Sequence, residues 1–159
     1  MNHSHATRKA RPAWRHFAQR GYLVGVLLFI LCVLCQVFLA GMSIFVSPSW
    51  WGVHQRFGEL FGSLTILLVL FAIAMQPQRS VIWLTILLVV LYSLQYLLIE
   101  LPGRMSVPWL SALHPVNALV IFWIAVTLAR SVFQQSGRGA EHSPQLEGAP
   151  DPLSASSRI

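Results

Sequence analysis

The chain has 159 residues, room for one domain, and is 55% hydrophobic with only 10% charged, far below the roughly 25% charged residues of a soluble globular protein. A water-soluble fold is therefore not expected. The net charge of +6 comes without a basic patch interleaved with aromatics, so it points to membrane topology and anionic lipid, not to a nucleic-acid partner.

A basic stretch (Arg8, Lys9, Arg11, Arg15, Arg20) opens the chain, and residues 1–20 read as a cytoplasmic tail. Four charge-free windows follow, between Arg20 and Arg56, Glu59 and Arg79, Arg79 and Glu100, and Arg104 and Arg130, and they mark runs near the 20 or so mostly apolar residues a membrane-crossing helix needs: 21–46, 58–75, 81–99 and 116–133, the second and fourth taking in Glu59 and Arg130 near one end. The first is too long for a signal-peptide core and is read as a retained anchor. The runs lack the alternating polarity of barrel strands, and inside lipid each backbone amide must be satisfied within its own segment. The expected fold is all-α, a four-helix transmembrane bundle spanning 21–135 and made of two similar helical hairpins.

With the N-terminus inside, nine of the 11 Lys and Arg lie on the cytoplasmic side, leaving Arg56 and Arg104 outside. By the positive-inside rule both termini are cytoplasmic. Outer loops are expected at 47–57, with Pro48, Trp50 and Trp51, and at 100–110, with Pro102, Gly103, Pro108 and Trp109. Residues 136–159, rich in Gly, Ser and Pro, read as a disordered cytoplasmic tail.

The hairpins share a pattern. A span with a late glutamine leads into a Pro/Trp-containing loop, then a histidine opens the next span: Gln36, Trp51 and His54, then Gln95, Trp109 and His114. The Gln-to-His separations are 18 and 19 residues. Parallel repeats of this kind place functional sites at the repeat interface. A helical rise of about 1.5 Å per residue puts the two glutamines at one level and both imidazoles near the outer boundary.

Small residues follow each histidine: Gly58 and Gly62 after His54, Ala118 after His114, with Ala125 and Ala129 deeper. Such a groove suits a flat macrocycle whose iron takes an axial nitrogen from His54 and from His114, the bis-histidine arrangement of a b-type haem. Cofactor sites are commonly built inside four-helix bundles. The other role open to these residues is structural: Gly58-x-x-x-Gly62 lets helices approach closely, and each histidine sits at a wet helix end. No C-x-x-C-H occurs, which excludes covalent c-type attachment.

The segments His114-Pro115-x-Asn117-Ala118, Phe38-Leu39-Ala40-Gly41 and Trp51-x-x-His54-x-x-Phe57-Gly58 resemble a family of small bacterial four-span membrane proteins with no assigned function, over about residues 21–131. That resemblance implies an inner-membrane location and this architecture, but no activity. His54-Gln55-Arg56 with Gly58 and Gly62, and the position of His114, are also similar to one half-bundle of haem A synthase, in which histidines open the second and fourth helices. This second likeness implies haem binding. The chain departs from that family in having Trp51 where a carboxylate precedes the first histidine, and in having one bundle instead of two, which argues against synthase chemistry.

Gln36, Gln95 and Asn117 are expensive to bury alone in lipid and should face inward, either as interhelical glue or as groups that bond a haem propionate or a quinone carbonyl. Cys32 and Cys35 form C-x-x-C inside an apolar helix, where packing is favoured over redox chemistry. Glu59 and Glu100, with Arg56 and Arg104, are the outer-side charges and are expected to pair. His3, His5 and His16 fall in the basic tail without a defined site. Three functions compete: a b-haem electron-transfer or haem-handling protein, a non-catalytic assembly or interaction subunit, and a quinone or small-molecule binder. Nothing in the sequence supplies a nucleophile–base pair or a membrane-embedded acid dyad, so whether the chain is an enzyme stays open.

Overall fold

A computed structural model describes residues 12–140 of the chain. Four helices follow one another: α1 (Ala13–Phe45), α2 (Trp50–Met75), α3 (Arg79–Arg104) and α4 (Leu113–Ala140), with a 3-10 turn over Pro108–Ala112 before the last. All four are long and apolar enough to cross a membrane. The protein is an integral membrane helical bundle.

Chemistry marks the helix ends. The backbone N–H groups of Val46 and Ser47 both donate to the Met42 carbonyl, closing α1. Gln76 takes a left-handed conformation (φ 46°, ψ 66°) and Pro77, which cannot continue a helix, follows it. Pro102 sits in the last turn of α3 and is fully buried.

Several boundaries differ from the sequence expectation. α1 starts at Ala13, so Arg15, His16 and Arg20 ride on a helix and not in a loose tail. α2 starts at Trp50, which shortens the first loop to the four residues 46–49 and puts His54 inside the second span. α4 runs to Ala140, into the stretch expected to lack structure. In each case the helix continues past the apolar stretch, because polar residues at a membrane surface keep their backbone hydrogen bonds as readily as apolar ones. His3, His5, Arg8, Lys9, Arg11 and residues 141–159 lie outside the described residues.

Each helix packs on its two chain neighbours, with α1 against α4 closing the ring, while α1 and α3, and α2 and α4, stand on the diagonals. The two hairpins bury matching positions. Phe61, Thr65, Leu68 and Ala72 on α2 answer Ile121, Ala125, Leu128 and Val132 on α4. On α1, Tyr22, Val26, Phe29 and Ser43 answer Val81, Thr85, Leu88 and Pro102 on α3. Toward the α2–α3 turn the interior is filled by buried side chains. There Thr85 donates to the Val81 carbonyl (2.7 Å), so the fully buried Tyr22 hydroxyl is the donor to Thr85 across the diagonal (2.6 Å).

Candidate functional site

Toward the other end, where the α1–α2 and α3–α4 connections lie, the bundle opens into a cavity of about 730 Å³ lined by all four helices. That volume falls within the range of small-molecule and cofactor pockets. Its floor is aromatic. Phe29, Phe61 and Tyr92 contact one another edge to face, with ring centres 5.3 to 5.9 Å apart, and Phe61 and Tyr92 line the cavity where it meets the packed half.

His54 and His114 both line this cavity, from the diagonally opposed α2 and α4. Each ring is held the same way. His54 Nδ1 lies 3.1 Å from the Gln36 carbonyl on α1, and His114 Nδ1 lies 3.2 Å from the Gln95 carbonyl on α3. A carbonyl only accepts, so each Nδ1 carries the hydrogen and donates it, which in the neutral form of the ring leaves the lone pair on Nε2. The ring centres stand 6.3 Å apart with the planes tilted by 57°. Trp51 stacks edge-on against His54 at 5.5 Å.

The glutamine side chains do different things. Asn117, 7% exposed, uses both hydrogens of its amide, donating to the Leu91 carbonyl and to Gln95 Oε1 at 2.8 Å each. In the first hairpin the position corresponding to Asn117 is Phe57, and Gln36 Oε1 is buried with no hydrogen-bond partner.

Among the small residues, Gly58 and Ala118 line the cavity. A Cβ at Gly58 would come within 2.6 Å of Gln36 Nε2, so this glycine makes room for the amide. Gly62 meets the Tyr92 ring, 2.9 Å from where its Cβ would be, so the space beneath His54 is filled by Tyr92 from α3 at this level. Tyr92 O–H donates to the Gly58 carbonyl. Ala125 is fully buried in the core below.

Glu100 pairs with Arg104 one turn on along α3, and both are exposed. Glu59 lines the cavity mouth and makes no ion pair among the described residues. Cys32 packs partly against the core, Cys35 is half-buried, both thiols are free, and neither lines the cavity. Tyr92, Tyr96 and Phe61 are site residues that the glutamine and histidine pattern did not single out. The signal for Phe61 was its helical register below His54, matched by Ile121 below His114, which also lines the cavity.

Residues 36–102 match the model of a family of unknown function (DUF6220). The match takes in Gln36, His54, Tyr92 and Gln95 and stops short of His114. No curated protein and no solved structure matches the chain.

Proposed function

We propose that the chain is a b-type haem protein of the inner membrane, using His54 and His114 as the two axial ligands in electron transfer or haem handling. One observation carries this: two imidazoles on opposed helices, each with Nδ1 tied to a backbone carbonyl and Nε2 left as the donor, at the separation a shared metal requires. An imidazole bound at about 2.0 Å has its ring centre about 3 Å from the metal, so two on opposite sides of one metal stand about 6 Å apart. The observed 6.3 Å fits.

The donor set favours haem over a bare ion. Among the described residues no group of three or more His, Cys, Asp or Glu converges, so two protein nitrogens suit a centre whose other ligands arrive with the bound group. When bound, such a group supplies one-electron chemistry. The chain's own residues do the rest. The Gln36 and Gln95 carbonyls orient the rings and raise their basicity, as outer-shell partners of metal-binding histidines do. Phe61 and Tyr92 line the floor of the cavity, with Phe29 packed against both. The similarity of the His54 and His114 segments to one half of haem A synthase supports haem, while Trp51 in place of that family's carboxylate speaks against its synthase chemistry. The positive-inside rule puts Arg15, Arg20, Arg79 and Arg130 in the cytoplasm and the cavity at the outer face.

The test is the absorption spectrum of protein purified in detergent from haem-replete cells. A red protein whose Soret band shifts on dithionite reduction is expected. His54→Ala or His114→Ala should each abolish the six-coordinate spectrum, and the double variant should keep its helical circular dichroism because the filled core lies below the site. A wild type that stays colourless, and takes up no added haem, overturns the assignment and leaves the cavity to another small molecule such as a quinone.

A further inference from the structure

The two hairpins share eight pairs of equivalent buried positions, so a place where equivalent residues do different things is informative. Gln36 and Gln95 are counterparts, and both backbone carbonyls do the same work for a histidine. Their side chains do not. Gln95 Oε1 is tied to Asn117, and Asn117 is tied in turn to the Leu91 backbone, a closed strut between α3 and α4. Gln36 has Phe57 where a second asparagine would stand, and Oε1 is left buried without a donor.

An orphaned buried acceptor forfeits its hydration without return, and native proteins retain few of them. Gln36 is one of the residues lining the cavity, and its amide nitrogen lies where a side chain at Gly58 would collide with it. We propose that Gln36, and not Gln95, is the amide that recognises the bound molecule, by hydrogen-bonding a carboxyl group at the edge of the tetrapyrrole. The assignment rests on haem being the ligand. A half-turn of the last side-chain torsion exchanges Oε1 and Nε2, so the amide serves a carboxylic acid as acceptor or a carboxylate as donor. Gln95 cannot answer in the same way without breaking the Asn117 strut.

The prediction separates binding from stability. Haem is titrated into ligand-free full-length protein, and the ligand-free forms are melted in the same detergent. Gln36→Leu should bind haem about three- to tenfold more weakly, the worth of one hydrogen bond, while its ligand-free melting temperature stays level or rises because the orphan is gone. Gln95→Leu should lower the ligand-free melting temperature, because it breaks the Asn117 strut that Gln36→Leu leaves intact. Gln36→Met serves if the leucine variant misfolds.

Haem dimethyl ester identifies the contact. It should bind the wild type more weakly than haem does, and Gln36→Leu should add no further loss, since both changes remove one interaction. A Gln36→Leu protein with wild-type haem affinity overturns the assignment of Gln36 alone, as do ester and variant losses that multiply. A wild type that binds no haem overturns the cofactor as well.

Discussion

At the residue scale, two glycines one turn apart on α2 have different neighbours and should tolerate alanine differently. A Cβ at Gly62 would press on the Tyr92 ring at 2.9 to 3.3 Å, and that ring is wedged between Phe29 and Phe61 with its hydroxyl bonded to the Gly58 carbonyl. Displacing the ring would give up those contacts and that hydrogen bond, so Gly62→Ala should destabilise the bundle by about 1–3 kcal/mol, the usual cost of overpacking. A Cβ at Gly58 collides with the far end of the Gln36 side chain, which can swing aside, and otherwise comes only to ordinary contact with the Tyr96 hydroxyl at 4.0 Å. Gly58→Ala should therefore melt near the wild type yet lose haem affinity much as Gln36→Leu does. Thermal unfolding of the two variants in detergent checks the contrast, and equal destabilisation would contradict the packing described for Tyr92.

Among the elements, α3 and α4 are joined by a polar strut that α1 and α2 lack. Asn117→Leu keeps the forked shape of the side chain but removes the donors to the Leu91 carbonyl and Gln95 Oε1. Interhelical polar contacts in membranes are worth about 0.6 to 2 kcal/mol, and Asn117→Leu should cost about that much in unfolding free energy, read from a denaturant or melting curve. The repeat behind this comparison was legible in the sequence, because glutamine and histidine are rare enough among Leu, Val and Ile to mark equivalent positions. Interhelical glue was also legible as a role, and it holds for Gln95 and Asn117. The separate fate of Gln36 was not, since it depends on Phe57 occupying a position that matters only once α1 and α2 are side by side. The extent of α2 was missed for a similar reason: polarity at 47–57 signalled the membrane boundary, and the helix does not stop there.

As a whole, the molecule has two storeys of different character, one filled and one hollow, and its arginines are divided between them. Arg15, Arg20, Arg79 and Arg130 surround the filled end, while Arg56 and Arg104 accompany the cavity, and Arg104 is already paired with Glu100. Lys and Arg bias sets orientation through short loops, so the filled end should face the cytoplasm and the cavity the outside. Single cysteines in a Cys32→Ala, Cys35→Ala background test this directly. Gly52 suits one probe, being on the first turn of α2 with nothing within 4 Å of a side chain placed there, and the exposed Gln78 at the α2–α3 turn suits the other. A membrane-impermeant maleimide applied to intact cells should label Gly52→Cys and spare Gln78→Cys until the membrane is permeabilised. The reverse pattern would turn the cavity toward the cytoplasm, and any electron or haem exchanged there would have to come from that side. The same His54 and His114 geometry would then serve a cytoplasmic donor, so labelling fixes the direction of exchange independently of whether the spectrum shows haem.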